Sequence, residues 1–413
     1  MPQRGLLLEG RYRILDPIGE GRSGCVLAAR DEQLGRDVAV RFVDSGLFSA
    51  EARARFLARA RDMVRVEHRE VVGVLSVGAH DGAPYLVQEF VPGPDLGTWL
   101  AGQGRLSVEE AIEVLTPIAR GLGAIHEAGA VHGDLRPEKV RVGPAFRLAL
   151  ADQGLATLLA ACDRGDYPLS GWPEFIAPET IVGKDVPAKL APRADVYALS
   201  AVAYLLLCGR PPFAADDARQ VLWSHLMTPP PRASELRPDL PAGFDAPLGQ
   251  ALAKDPEDRP ASATALLEAL RAVPRPGPPA EPRSPRLVVA DDDGVCRTLV
   301  EAMLRAGFPD ASVETHPDGA SALRALCERP AHVAITDLHM PGMNGLELVA
   351  ALRASPQGMA TRIIVMSAMG GAAEWRLLSS LGADDFLVKP FADEELVRST
   401  ERLLRLPRRA TRR

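Results

Sequence analysis

Near the N-terminus, β-type segments rich in apolar residues lie at 12–18, 25–30, 37–42, 71–79 and 84–90. Short runs of this kind predict strands. Residues 50–66, rich in Arg and Ala, interrupt them and predict a helix. After residue 96 the period becomes helical, most clearly over 108–127 and 194–208. A small sheet lobe followed by a larger helical lobe, an α+β arrangement, is expected. Beyond residue 286 strands and helices alternate. Strands are predicted at 287–290, 311–316, 333–336, 362–366 and 385–388, and helices at 295–306, 319–328, 346–353, 372–381 and 393–404. Five βα units imply a doubly wound parallel sheet of α/β type. Between the two parts, residues 272–286 read AVPRPGPPAEPRSPR. Such proline density excludes helix and sheet and favours a semi-rigid polyproline II spacer. The expected organisation is a lead at 1–10, a first domain at 11–272, a linker at 273–285, a second domain at 286–406 and a basic tail at 407–413.

Composition narrows the classes. The chain has 413 residues, a net charge of −6 and 46% hydrophobic residues. That charge argues against a dominant nucleic-acid surface. Cys25, Cys162, Cys208, Cys296 and Cys327 are scattered without a CxxC. An odd, dispersed set argues against a disulfide framework and for a reducing cytosol. The best apolar stretch, 198–208, is shorter than the ~20 residues of a membrane span. A cytoplasmic protein with no membrane partner is expected.

In the first part, IGEGRSGCV places Gly19, Gly21, Gly24 and Val26 in GxGxxGxV spacing between two predicted strands. A glycine hairpin lets main-chain amides approach phosphates. VAVRF (38–42), HGDLRPEKV (132–140), DQG (152–154), GWPEFIAPE (171–179), RADVYALS with Asp195, and KDPEDRP with Arg259 follow. In this order the motifs resemble the bacterial branch of the Ser/Thr protein kinases, and the resemblance implies a bilobal kinase fold. It assigns Asp134 as catalytic base and Asp152 as a Mg²⁺ ligand. It places Glu179 and Arg259 as a buried bracing pair and Asp195 as a structural residue. The hinge VQEFVPG, with Glu89 and Val91, would offer main-chain groups to an adenine. The departures gather at the phosphate site. Arg41 stands where the family has its phosphate-gripping lysine, and Arg59 where the pairing helix glutamate falls. Two cations there would repel, so the lysine–glutamate lock is not expected to form. Gly133 replaces an arginine, Arg136 a lysine, Lys139 the asparagine that holds a second Mg²⁺, Gln153 a phenylalanine and Trp172 a threonine. This combination favours a pseudokinase, with ATP and Mg²⁺ binding left open.

In the second part, four predicted strands end in polar residues. LVVADDD carries Asp291, Asp292 and Asp293, VAITDLHMPGMNG carries Asp337, IIVMSA carries Ser367 and FLVKPF carries Phe386 and Lys389. Open α/β sheets build their sites at such strand ends. The set resembles a response-regulator receiver of flavodoxin-like (βα)5 fold. The resemblance implies Mg²⁺ held by Asp291, Asp292 and Asp337, with Asp337 taking a phosphoryl group in a phosphorelay. Lys389 and Ser367 would contact that group, and Phe386 would turn with it. The acidic pair stays ambiguous: counting to Arg297 gives Asp291–Asp292, whereas counting back from Gly307 gives Ala290–Asp291. His339 is read as a loop residue.

The expected function is signal transduction. A histidine kinase or phosphotransfer protein would load the receiver. The receiver would control a kinase-like domain that binds an unknown protein partner or nucleotide with little catalysis. The alternatives are an active Ser/Thr kinase gated by its receiver, and a phosphate sink with an inert scaffold.

Overall fold

The computed structural model describes residues 3–21, 24–44, 46, 49–103, 106–160, 173–274, 284–355, 358–368 and 372–406. Linker residues 275–283, the tail 407–413, Trp172 and Cys162 lie outside them. The chain forms two compact units. Unit 1 comprises Met1–Val91, Ala111–Val140 and Leu148–Pro274; unit 2 comprises Pro92–Glu110, Arg141–Arg147 and Arg275–Arg413.

Unit 1 begins with an antiparallel sheet of β1 (Leu7–Leu8), β2 (Tyr12–Gly21), β3 (Gly24–Asp31), β4 (Arg36–Val43), β5 (Val74–His80) and β6 (Ala83–Glu89). Their order is β1-β2-β3-β4-β6-β5. β1 falls inside the stretch expected to be a lead, where Leu8 pairs with Tyr12. The pleat of β4 decides where Arg41 goes. Val38, Val40 and Phe42 enter one apolar cluster with Leu27 and Ala29, whereas Val43 joins Phe56, Leu155 and Leu159 on the other face. Alternation puts Arg41 on the second face with Val43.

The helix expected at 50–66 is α-helical over Ala50–Ala60 and tightens to a 3₁₀ turn over Arg61–Arg65. Ser49 caps its start by accepting from the main-chain N–H of Ala52. Such tightening is common at helix ends, and here it buries Met63. The helical lobe is built on helices Val108–Glu127 and Pro192–Cys208, the second buried along nearly its whole length. The helical stretch Ala188–Cys208 is long and apolar enough to cross a membrane by length and composition, contrary to the shorter span read from sequence; 72% of its most apolar 18 residues is buried within the fold. The short strands β7 (Val140–Gly143) and β8 (Arg147–Leu150) pair with each other.

Unit 2 contains a parallel sheet of β9 (Arg286–Ala290), β10 (Ser312–His316), β11 (Val333–Asp337), β12 (Arg362–Ser367) and β13 (Asp385–Val388). The order is β10-β9-β11-β12-β13. Helices Gly319–Glu328, Gly345–Ala354 and Ala372–Leu381 cover one face; Gly294–Gly307 and Asp393–Arg405 cover the other. In this order the topological switch point lies between β9 and β11, so their C-terminal ends flank the crevice where such sheets bind ligands.

Candidate functional sites

Asp291 follows β9 and Asp337 ends β11, both buried. Lys389, just past β13, lies between them: its Nζ donates to Asp291 Oδ2 at 2.7 Å and to Asp337 Oδ1 at 2.5 Å. Burial alone would lower the ammonium's pKa, but the two carboxylates outweigh it and raise it. The main-chain N–H of His339 donates to Asp337 Oδ2 at 2.8 Å, while the His339 side chain is exposed. The main-chain N–H of Asp293 donates to Asp291 Oδ1, and the Asp293 carboxylate caps helix Gly294–Gly307. Asp292 is exposed. Ser367 ends β12 fully buried, and its hydroxyl has no partner among the described residues. Phe386 is buried and stacks on Trp375 at 4.1 Å. Burial and Asp291 push the nearby Cys296 thiol up to about 11, so it is no nucleophile at neutral pH.

Mg²⁺ suits the receiver site. Asp291 and Asp337 offer hard oxygens at one sheet edge, and Lys389 already draws positive charge between them. Among the described residues no three His, Cys, Asp or Glu side chains form a metal-holding group. Two contributors escaped sequence reading. A side chain at Gly345 would come within 2.4 Å of the Asp337 carbonyl, so glycine is required where the next helix passes the phosphoacceptor. Trp375, packed on Phe386, had no signal beyond a helical apolar position.

In unit 1, β2 and β3 meet in the glycine hairpin, where Gly19 pairs with Val26 and Gly21 with Gly24. Gly24 has φ +128°, and a Cβ there would lie 2.0 Å from the Phe42 carbonyl oxygen. Only glycine fits that approach. At the hinge, the Glu89 N–H donates to Gly73, and Val91 is buried against Val72 and Ala149. Among the described residues the main-chain N–H and C=O of Val91 have no hydrogen-bond partner.

The catalytic-loop segment hangs on Asp195. Its carboxylate accepts from the main-chain N–H of His132 and of Gly133, each at 2.8 Å, and contacts His126 Nε2 at 2.8 Å. Gly133 has φ +77°, and a Cβ there would meet Thr157 Oγ1 at 2.5 Å. A side chain there would be strained by that φ and would require Thr157 to move. Asp134 is half-exposed; Arg136 Nε donates to it at 3.1 Å, and Lys139 Nζ lies 3.9 Å away. Glu179 and Arg259 form a buried bidentate pair with both bonds at 2.7 Å.

Asp152 is buried at φ +63°, a left-handed conformation that Asp tolerates better than most residues. Arg41 Nη2 donates to its Oδ2 at 2.8 Å, and Arg41 Nε lies 2.8 Å from its Oδ1. Lys139 Nζ donates to Oδ2 at 2.5 Å. Burial would raise this carboxyl, but Arg41 and then Lys139 hold it below the ordinary carboxylate range. Arg59 sits exposed on helix Ala50–Ala60. The expected clash of two cations is thus resolved by Arg41 taking Asp152 as its carboxylate. Arg41 and Lys139 both bond Asp152 Oδ2, whereas Oδ1 is buried with no hydrogen-bond partner among the described residues. An ammonium, Lys139, stands where the family has its second oxygen ligand. Gln153 is buried and reaches the Val72 carbonyl at 3.4 Å.

A bilobal unit carrying a nucleotide-type hairpin, together with a receiver-type sheet carrying an acidic crevice, defines a two-part signalling protein. Residues 12–270 match the protein kinase domain model and residues 287–401 the response regulator receiver domain model. The chain belongs to the protein kinase family and carries a receiver domain after the kinase domain. It is 34% identical over 279 residues to the serine/threonine-protein kinase PknA of Mycobacterium tuberculosis, covering 66% of this chain and 63% of that protein. It is also 34% identical over 269 residues to Pkn1 of Myxococcus xanthus, covering 63% of this chain and 38% of that protein. Among solved structures, the M. tuberculosis PknI kinase domain superposes with a TM-score of 0.53 at 27% identity. That match covers 66% of this chain and 98% of PknI's.

Proposed function

We propose that this is a cytoplasmic switching protein, whose receiver takes a phosphoryl group on Asp337 and whose kinase-like unit binds a protein partner or nucleotide without transferring phosphate. The observation that carries the second half is the pairing of Asp152 with both Arg41 and Lys139. That carboxylate is the metal position of a working kinase, and here it is neutralised by the chain's own cations. In the receiver, an Asp337 carboxylate oxygen attacks phosphorus. The bond from phosphorus to the donor's imidazole nitrogen breaks, and its electron pair leaves with the imidazole. Lys389 holds the carboxylate beforehand and can pass to the new phosphoryl oxygens as a point charge. The partnerless Ser367 hydroxyl is a ready donor to the same oxygens. Mg²⁺ held by Asp291, Asp337 and, by resemblance, Asp292 would neutralise the charge developing on those oxygens. A histidine kinase or phosphotransfer protein fits as donor, and neither nucleic acid nor membrane is needed as a partner.

A second reading, an active Ser/Thr kinase gated by the receiver, draws on the retained Asp134, Asp195 and Glu179–Arg259 pair and on relatives named as such kinases. Intact-mass measurement of the chain with Mg·ATP and a generic acceptor separates the two. No Ser or Thr transfer is expected, and acetyl phosphate should add one phosphoryl group that Asp337→Ala abolishes. Transfer to Ser or Thr that disappears in Asp152→Asn would establish the second reading. Labelling that persists in Asp337→Ala would remove Asp337 as acceptor.

A further inference from the structure

We infer that the receiver face formed by helix Ala372–Leu381, β13 and helix Asp393–Arg405 is a docking surface for the chain's own post-hinge segment, and that a phosphoryl group on Asp337 releases that segment. The segment is Pro92–Glu110 together with Arg141–Arg147. This rests on the reading of Asp337 as phosphoacceptor and adds what the receiver acts on.

Both stretches lie inside residues 12–270, which match the kinase domain, yet both fold with the receiver as unit 2. Helix Leu96–Gln103 lies so close to helix Ala372–Leu381 that a side chain at Gly102 would strike the Ser379 carbonyl. Gln103 Nε2 donates to the Ala383 carbonyl at 2.9 Å. Trp99, Val142, Leu378 and Phe386 line one shared pocket, and Trp99 packs on Phe146 with ring centres 5.2 Å apart. Ionic contacts flank this apolar middle. Arg362 donates to Glu110 Oε1 at 2.7 Å and to Asp384 Oδ1 at 2.9 Å. The buried Asp385 carboxylate accepts from the Phe146 main-chain N–H at 2.8 Å, and the Arg402 guanidinium lies 3.8 Å over the Phe146 ring. The occupant thus fits the face in charge as well as in shape.

β13 joins this face to the phosphoacceptor. At its start, Asp385 holds the Phe146 N–H, and the Phe386 ring takes the space that Gly93 leaves: a Cβ on Gly93 would lie 2.6 Å from Phe386 Cζ. Just past its end, Lys389 bonds Asp291 and Asp337. Only the four residues of β13 separate the two. A phosphoryl group adds bulk and negative charge at Asp337, and it draws Lys389 to its own oxygens. It also gives an acceptor to the Ser367 hydroxyl, which lies on β12 in register with Val388 of β13. Both pulls act on β13. A close-packed contact holds or lets go, because it does not deform by degrees. Gly93 and Gly102 leave no slack, so a shift of β13 unseats the segment. Pro92 follows the hinge residue Val91 in the chain, which carries the release to the hinge.

The test is amide hydrogen exchange of the full chain with and without acetyl phosphate and Mg²⁺, with intact mass read on the same samples. Residues 96–103 should exchange about fivefold faster or more once the chain carries phosphate. Helix Gly319–Glu328 should stay unchanged, and Asp337→Ala should abolish the difference. Gly102→Ala separates docking from helix propensity. Alanine favours a helix over glycine, so an undocked helix would exchange more slowly in this variant. The inference expects the opposite, faster exchange at 96–103 without acetyl phosphate and little further rise with it, while Asp337 still takes phosphate. Phosphate uptake with unchanged or slower exchange at 96–103, an equal rise in helix Gly319–Glu328, or slower exchange in Gly102→Ala overturns this inference and leaves Asp337 as acceptor. No phosphate uptake defeats the reading beneath it as well. The wild-type comparison needs no variant to fold.

Discussion

With an arginine at position 59, where the family has its pairing glutamate, the Arg41 guanidinium bonds Asp152. The carboxylate is then held ionised by Arg41 and Lys139. Other single residues are settled by burial. His225 lies in the helical lobe, with Tyr197 Oη 2.7 Å from its Nδ1 and Phe213 edge-on at 4.9 Å. Burial first, then Lys254, pushes its pKa from 6.5 down to about 4. Across that window the unfolded chain binds a proton that the folded chain refuses, so stability falls as pH drops from 6.5 toward 4. Above 6.5 the imidazole is neutral in both states and the penalty is absent. Thermal midpoints should decline between pH 7 and pH 5, and His225→Gln should flatten that decline. An unchanged slope would remove His225 from the account. The Gly133 substitution was legible as a departure from the family. The positive φ of +77° at that position was not.

Individual elements are marked at their ends. Helix Gly345–Ala354 opens with a reciprocal capping box: Asn344 Oδ1 accepts from the Glu347 N–H, and Glu347 Oε2 accepts from the Asn344 N–H, each at 3.0 Å. This helix carries Leu348, Val349 and Leu352 into the receiver core beside β11. Asn344→Ala should cost about 1 kcal/mol in urea denaturation while leaving Asp337 able to take phosphate. Gly345→Ala should do more, because its methyl meets the Asp337 carbonyl, and labelling by acetyl phosphate should fall with it. Most elements were predictable, since their apolar periods are properties of short segments. β1 was missed because two residues carry no period, and they become a strand only by pairing with Arg13 and Tyr12. The 3₁₀ turn after Ala60 was missed for a similar reason: it depends on where Met63 finds burial.

For the whole molecule, the pairs that matter join distant parts of the chain. Glu179 and Arg259, 80 positions apart, close the helical lobe, and Arg259 also donates to the carbonyls of Ala253, Lys254 and Arg193. Glu179→Gln leaves a buried guanidinium without its counter-charge. A loss of about 3–5 kcal/mol is expected, read as a lowered first transition in a thermal melt. A shift too small to measure would show the pair is not bracing the lobe. The two units carry separable chemistry. Asp337, Lys389 and Ser367 belong to unit 2, and Arg41, Lys139 and Asp152 to unit 1. Phosphate on the first set and nucleotide on the second can therefore be measured independently in one chain.

The hydrophobic pattern dictated the two architectures, and motif order dictated where Asp134, Asp152, Asp337 and Lys389 would lie. Periodicity acts within a segment, and glycine turns and strand-end carboxylates are visible one residue at a time. Ion-pair choice is different, because it depends on which charges share a volume after folding. Arg41 lies 111 positions from Asp152, and Lys389 lies 98 from Asp291 and 52 from Asp337. The sequence named Arg41 and Lys139 as departures. Only the packed lobes, in a medium where a buried carboxylate must find cations, made them the two partners of Asp152.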